Sequence, residues 1–272
     1  MLKLGHIIYS NCFPPHAGIV TGKIAFPFTV IEGIPTQLNR LLAEGALDIS
    51  PSSSIEYAVN RDRYLLLPGL SITSKTRVQS ILLESTVPIE QLQNKVVAMT
   101  TASATSVVLL RILLEIRYRV RPEYTSYEQG TEDPGPRADA MLTIGDLAIK
   151  RSLNSAYPYQ YDLGKLWHDF TGLPFVFALW QVYERKDNQK DLSRLYDLLM
   201  ESKAYGTSHL GELARSSADR FGLSARLLLE YWHLFSYDFT EEEKKGLLAY
   251  YGYAAEIGAI EPVKELRMWE KG

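Results

Sequence analysis

The stretch KVVAMTTASATSVVLLRILLEI, residues 95–116, contains the pattern that decides the fold. Residues 95–99 are mostly apolar and predict a buried strand. A strongly apolar helix is predicted to follow over residues 103–116. Between them, residues 100–106 are all Ser or Thr apart from two alanines. A strand that leads directly into a helix is the repeating unit of α/β proteins.

The same alternation of strand and helix occupies the rest of the first half of the chain. Alternating elements of this kind predict an α/β sheet with crossover helices. Strands are predicted at residues 4–9, 28–32, 47–49, 64–67 and 138–144, and helices at residues 35–44 and 55–59.

Two extended apolar segments, residues 78–83 and 175–182, flank the middle of the chain. If both cross between two units, the middle block is an inserted domain. We therefore predict one lobe from residues 1–84 and 181–272, and a second, inserted lobe from residues 85–180. The C-terminal third is predicted to be helical, with a capping box formed by Thr240 and Glu243 at the start of its last helix.

Composition excludes several classes of protein. The chain has 272 residues, 46% of them hydrophobic, and a formal net charge of -3. This balance argues against disorder and against a nucleic-acid binder. The single cysteine, Cys12, excludes an intramolecular disulfide and a zinc site built on several cysteines. Because neither a signal peptide nor a stretch of about 20 apolar residues is present, we expect a cytoplasmic protein.

Four polar loops follow predicted strands, where ligands bind in open α/β sheets. Asn11 in the first loop can bind a ligand, although a turn residue is the commoner role for such an asparagine. The serines at residues 50–54 and the loop at residues 100–106 precede helices. Each can hold an anion at free helix-start amides or merely cap its helix. In the fourth loop, Gly145 allows a tight turn, and helix capping is the commoner role for Asp146.

No motif for a metal or a cofactor is found. No histidine pair has zinc-ligand spacing, and the P-loop, the dinucleotide fingerprint and the nucleophile elbow are all absent. Four residues remain candidates for a catalytic base: His6, His16, Glu56 and Asp146. From the residues alone we expect two α/β lobes around a cleft for a small polar anion, with neither a cofactor nor a metal.

At these loops the chain resembles the chorismate dehydratase family of the futalosine route to menaquinone. The resemblance spans residues 8–180, in the family's order. It rests on IYSN at residues 8–11, GIP at 33–35, LDIS at 47–50, SSIEY at 53–57, LPGLSI at 67–72, VQSILL at 78–83, SATS at 103–106, IGD at 144–146 and TGLPFVFALW at 171–180.

The resemblance implies a periplasmic-binding-protein-like fold of the second type, with a helical C-terminal segment. It also implies a carbon–oxygen lyase that dehydrates chorismate to 3-[(1-carboxyvinyl)oxy]benzoate, with Asn11 and Ser80 as catalytic residues. The loops then supply the substrate-binding residues Ser52, Ser53, Ser54, Thr101, Ser103, Thr105, Ser106, Gly145 and Asp146.

Two other functions are compatible with the same fold. One is the sister enzyme that makes 1,4-dihydroxy-6-naphthoate, and the other is a cytoplasmic protein that binds a small carboxylate. The expected partner is the small-molecule substrate alone, with neither nucleic acid nor membrane. The hydrophobic C-terminal helices can pack internally or form the face of a homodimer.

Overall fold

The computed structural model describes residues 1–131, 133–184 and 189–271, without the side chain of Pro136. The predicted lobe limits also take in residues 132, 185–188 and 272, which lie outside the described residues.

The described strands form two mixed sheets. In chain order they are β1 (Lys3–Ile7), β2 (Thr29–Gly33), β3 (Ile49–Ser53), β4 (Tyr64–Ser74), β5 (Ile81–Ser85), β6 (Val96–Thr100), β7 (Glu123–Tyr127), β8 (Ala140–Ile144), β9 (Tyr159–Asp162), β10 (Phe175–Tyr183) and β11 (Phe235–Ser236). The first sheet has the order β11-β4-β10-β3-β1-β2, and the second has the order β7-β6-β8-β5-β9.

In both sheets three neighbouring parallel strands form one end, and antiparallel strands continue from the other end. In the first sheet β1 runs parallel to β2 and β3, whereas β10 runs antiparallel to β3 and β4. In the second sheet β6 runs parallel to β7 and β8, and β5 runs antiparallel to β8 and β9. The predicted two-lobed α/β architecture is therefore confirmed.

The chain changes sheet earlier than the predicted lobe limits. β5 already belongs to the second sheet, and β10 has returned to the first. The crossings thus lie within residues 75–80 and 163–174. The limits at residues 84/85 and 180/181 stay a prediction.

Helices cover the sheets and also make up most of the C-terminal third of the chain. They are α1 (Phe13–Val20), α2 (Pro35–Ala43), α3 (Ser54–Asn60), α4 (Ala104–Ile112), α5 (Gly145–Ser152), α6 (Leu163–Thr171), α7 (Gln189–Ser208), α8 (Leu210–Phe221), α9 (Ala225–Trp232) and α10 (Glu241–Glu256). The capping box of Thr240 and Glu243 at the start of α10 is confirmed. None of the described helices is long and apolar enough to cross a membrane.

Two local predictions were wrong. The serines at residues 50–53 belong to β3 rather than to a loop, because β10 pairs with them along their length. β4 continues through Pro68 instead of stopping there. Its pairing with β10 is irregular around Pro68 and Gly69 has a φ of 68°, so the proline lies where the ladder is already interrupted.

The C-terminal helices are anchored beside the first loop, because α7 packs closely on α1. A Cβ on Gly206 of α7 would stand 1.7 Å from the carbonyl oxygen of Pro14. Only glycine allows this approach. A second apolar cluster, around Phe13 and the fully buried Trp232, joins α1 to α9. The first loop and the C-terminal helices therefore form one packed unit.

Candidate active site

A cleft lies between the two sheets. The ends of strands and the starts of helices from both lobes surround the cleft. Its polar lining residues are Tyr9, Asn11, Cys12, Ser53, Ser80, Ser103 and Ser106. Its other lining residues are Ile7, Pro35, Ile72, Ile81, Ile144, Gly145, Phe177 and Ala178. No described lining residue is a lysine, arginine, histidine or acid, so helix starts and neutral dipoles must supply any anion binding.

Asn11 enters the cleft from the 3-10 turn between β1 and α1. Its Oδ1 accepts a weak hydrogen bond from the Cys12 thiol at 3.4 Å. Within the described chain, its Nδ2 group donates to no protein atom. On the other side of the turn, the Trp232 indole donates to the Ser10 carbonyl at 2.8 Å. The amide of Asn11 is therefore held in place with its donor free for a ligand.

Ser80 lies in the segment that crosses from β4 to β5, and it is 1% exposed. Its carbonyl accepts a hydrogen bond from the Gly145 amide at 2.7 Å. Its hydroxyl lies near that of Tyr231, although no hydrogen bond with good geometry joins them. The two predicted catalytic residues, Asn11 and Ser80, thus line one cleft and each offers an unused side-chain group to it.

Three of the predicted binding serines also line the cleft. Ser103 caps α4, where its hydroxyl accepts from the Ser106 amide at 3.2 Å. The hydroxyls of these two residues lie 3.0 Å apart. Across the cleft, Ser53 precedes α3. Its Oγ accepts a hydrogen bond from the side-chain Nδ2 of Asn39 at 3.0 Å. Because that oxygen already accepts, the Ser53 hydroxyl proton is available to a ligand.

Five other predicted binding residues do not line the cleft: Ser52, Ser54, Thr101, Thr105 and Asp146. Thr101 is exposed, and Ser52 is fully buried with no described partner for its hydroxyl. Ser54 and Thr105 face each other between the lobes at 3.4 Å. The Thr105 hydroxyl also accepts from the Ile55 amide at 3.1 Å. These contacts join the starts of α3 and α4.

Gly145 lines the opposite side of the cleft, and Asp146 follows it outside the lining. Gly145 has a φ of 67° and lies against the ring of Tyr9. The Asp146 carboxylate accepts from both the amide and the hydroxyl of Ser10. Burial raises the pKa of Asp146, and the bonds from Ser10 oppose that rise. Asp146 therefore joins the lobes and does not line the cleft itself.

His6 and His16 form a buried chain with Trp180 outside the cleft lining. The Trp180 indole donates to His16 Nε2 at 3.0 Å, and the Nδ1 atoms of the two histidines are 2.9 Å apart. Since Nε2 of His16 accepts, its proton is on Nδ1 and points to His6. Burial lowers the pKa of His6 to about 4 and that of His16 well below its ordinary value. Both rings are neutral and packed.

Glu56 also lies outside the cleft lining, and its carboxylate is hydrogen-bonded to neighbouring side chains. Its carboxylate accepts from Asn60 at 2.8 Å and from the Tyr64 hydroxyl at 3.1 Å. Within the cleft the titratable groups are Tyr9 and Cys12. Burial raises the pKa of Tyr9 to about 12 and also raises that of the Cys12 thiol. Both are protonated at neutral pH, so neither serves as a base there.

Sequence reasoning missed Tyr9, which lines the cleft, and also Asn39 and Tyr231, which lie against the lining residues Ser53 and Ser80. Tyr9 stands beside Asn11 in the first loop, so its position was a usable signal. Asn39 and Tyr231 belong to α2 and α9, and helical periodicity assigns such residues to packing. No three His, Cys, Asp or Glu residues in the described part of the chain lie close enough together to bind a metal ion.

Known proteins resemble this chain in sequence and in structure. A family model described as menaquinone biosynthesis matches residues 2–256. A chorismate dehydratase of Thermus thermophilus is 35% identical over 238 residues, which cover 82% of this chain and 85% of that protein. A chorismate dehydratase of Campylobacter jejuni is 30% identical over 198 residues, which cover 71% of this chain and 72% of that protein.

The fold is shared with a larger group. The periplasmic aliphatic sulphonate binding protein SsuA of Escherichia coli superimposes with a TM-score of 0.66 at 14% identity, over 100% of this chain and 92% of that protein. This likeness confirms the periplasmic-binding-protein-like fold. The family match over almost the whole length places this chain in the menaquinone biosynthesis family, as a relative of chorismate dehydratases.

Proposed function

We propose that this protein is a chorismate dehydratase, a hydro-lyase that converts chorismate to 3-[(1-carboxyvinyl)oxy]benzoate. The observation that carries the proposal is the convergence of Asn11 and Ser80 on one cleft. The 35% identity to a chorismate dehydratase supports it. A cytoplasmic location and a homodimer stay predictions.

The lining of the cleft suits a small dicarboxylate with an apolar ring. The starts of α1, α3, α4 and α5 converge on it, and helix starts favour negative charge. Ser53, Ser103 and Ser106 add hydroxyl donors for the two carboxylates of chorismate. Ile72, Ile81 and Phe177 supply an apolar surface for the ring. We infer that these residues and Gly145 bind the substrate.

The reaction removes a proton from the ring carbon that bears the enolpyruvyl ether. The ring hydroxyl leaves with a proton as water, and the ring becomes aromatic. Because neither Tyr9 nor Cys12 is ionised at neutral pH, a carboxylate of the substrate is the available proton acceptor. Asn11 and Ser80 then orient the reacting groups. Such positioning can contribute about 7–11 kcal/mol to the rate.

Incubation of the protein with chorismate, without an added cofactor, tests the assignment. Chromatography and mass spectrometry should reveal an aromatic product lighter than chorismate by one water. Unchanged chorismate in folded protein would contradict the dehydratase, and the sister reaction and ligand-binding screens would come next.

Substitutions then test the roles of the cleft residues. We expect Asn11→Leu and Ser80→Ala each to lower kcat about 10²–10³-fold, as loss of one preorganised donor does. Glu56→Gln is expected to keep wild-type turnover, because Glu56 lies outside the cleft. Loss of turnover in Glu56→Gln, with substrate binding intact, would identify a protein base instead.

A further inference from the structure

The segment that delivers Ser80 to the cleft is held by one carboxylate from another part of the chain. Asp162, the last residue of β9, accepts from the Val78 amide at 3.0 Å and from the Gln79 amide at 2.7 Å. The two amides belong to the residues immediately before Ser80. The carboxylate therefore fixes the direction in which the backbone enters that position.

Gln79 has a φ of 63°, a left-handed conformation that residues other than glycine rarely adopt. Such a conformation persists only where the surroundings hold it. The bond from its amide to Asp162 is such a restraint, since a hydrogen bond to a charged acceptor is stronger than a neutral one.

The start of α6 is built for this contact. A Cβ on Gly164 would stand 3.0 Å from the Val78 nitrogen and 3.2 Å from the Asp162 carboxylate. The glycine thus lets the helix start approach the segment closely. On the far side, the Ser80 carbonyl accepts from the Gly145 amide at 2.7 Å. Ser80 is consequently held between two fixed points, one on each side of its peptide.

We propose that Asp162 is a positioning residue for the dehydration, acting through the Gln79 conformation to place the Ser80 hydroxyl in the cleft. This proposal rests on the proposed function, because it takes Ser80 as catalytic. Asp162 itself does not line the cleft, so its effect is expected on kcat more than on KM.

A purely structural role must be separated from positioning, because Asp162 also caps α6. Its Oδ1 accepts from the Lys165 amide at 3.0 Å. Asp162→Ser keeps a good helix cap but has one short-reaching oxygen in place of the carboxylate. Asp162→Asn keeps the size of the side chain but loses one acceptor. Both variants should fold, and both should release residues 78–79.

The decisive experiment is rescue by glycine at the strained position. Glycine adopts a positive φ without steric cost, so Gln79→Gly should restore the segment when the carboxylate is lost. We expect Asp162→Asn and Asp162→Ser to lower kcat for chorismate about 10–100-fold with KM changed less than about threefold. Adding Gln79→Gly should recover most of that loss.

Ser224→Ala is the matched control. Ser224 caps α9 through the Leu227 amide at 3.2 Å, is exposed, and is not among the residues that line the cleft. It should lose stability, as a cap deletion does, and keep the wild-type kcat. Urea denaturation of each variant provides the stability comparison.

The outcomes separate a failure of the proposed function from a failure of the positioning role of Asp162. If wild-type protein leaves chorismate unchanged, the proposed function fails. If wild-type protein turns over and folded Asp162→Asn and Asp162→Ser keep its kcat, the positioning role is refuted. A loss of kcat that Gln79→Gly does not restore also refutes it, because the loss then does not pass through the Gln79 conformation.

Discussion

Mild acid should destabilise this protein through the buried pair His6 and His16. The folded state holds both rings neutral, with the pKa of His6 lowered to about 4 and that of His16 lowered well below its ordinary value. In the unfolded chain both titrate near the ordinary histidine value of about 6.5. Below that pH the unfolded state binds protons that the folded state does not. The free energy of unfolding therefore falls as the pH drops from about 6.5 towards 4.

The size of the effect follows from the His6 shift. Between about pH 7.5 and pH 5, a pKa of about 4 in the folded state against 6.5 in the unfolded state removes about 2 kcal/mol of stability. His16 adds to this loss in the same direction, since its bonds to His6 and Trp180 need the neutral ring.

Urea denaturation at the two pH values measures this effect. His6→Asn places an amide oxygen near the position of the Nδ1 atom, so it can still accept from His16 without titrating. We expect wild-type protein to lose about 2 kcal/mol more than His6→Asn on acidification. His209→Asn, at an exposed histidine, is the matched control and should behave like wild type. Equal losses in wild-type protein and His6→Asn would refute the reasoning.

Three further substitutions test the packing around the cleft, all by urea denaturation. Thr105→Val leaves the buried Ile55 amide without its acceptor and should cost about 2 kcal/mol, whereas the exposed Thr101→Val should change stability by less than about 0.5 kcal/mol. Tyr231→Phe removes a buried hydroxyl that bonds to no described residue, so a change below about 0.5 kcal/mol is expected. Gly206→Ala forces a clash with the Pro14 carbonyl and should cost more than about 3 kcal/mol, while Gly252→Ala, on an open face of α10, should stabilise by about 0.5–1 kcal/mol. A stabilising Thr105→Val or Gly206→Ala, a destabilising Gly252→Ala, or equal effects within either pair would contradict the stated contacts.

Local patterns predicted much of the fold. Alternating strands and helices identified the α/β class, and the Thr240–Glu243 pair located the start of α10. The errors lie where tertiary pairing overrode local signals. Residues 50–53 became a strand because β10 pairs with them, and Pro68 was accommodated at an irregularity of the β4–β10 ladder.

The candidate site was only partly accessible to sequence reasoning. Asn11 and Ser80 were selected by resemblance, and both line the cleft. Ser54 and Thr105 were chosen because they are polar residues near helix starts. Composition cannot tell a hydroxyl that faces a ligand from one that joins two lobes, and these two face each other.

The sequence by itself determined the α/β class, the family and the short loop that carries Asn11. These depend on neighbouring residues, whose periodicity and order are readable along the chain. Only the tertiary structure decided which hydroxyls reach the cleft, that His6 and His16 are neutral and packed, and that Asp162 holds the segment before Ser80. Each of these depends on contacts between residues far apart in the chain, 83 positions in the case of Asp162 and Gln79. Burial and hydrogen-bond direction are set by such contacts, and no local pattern encodes them.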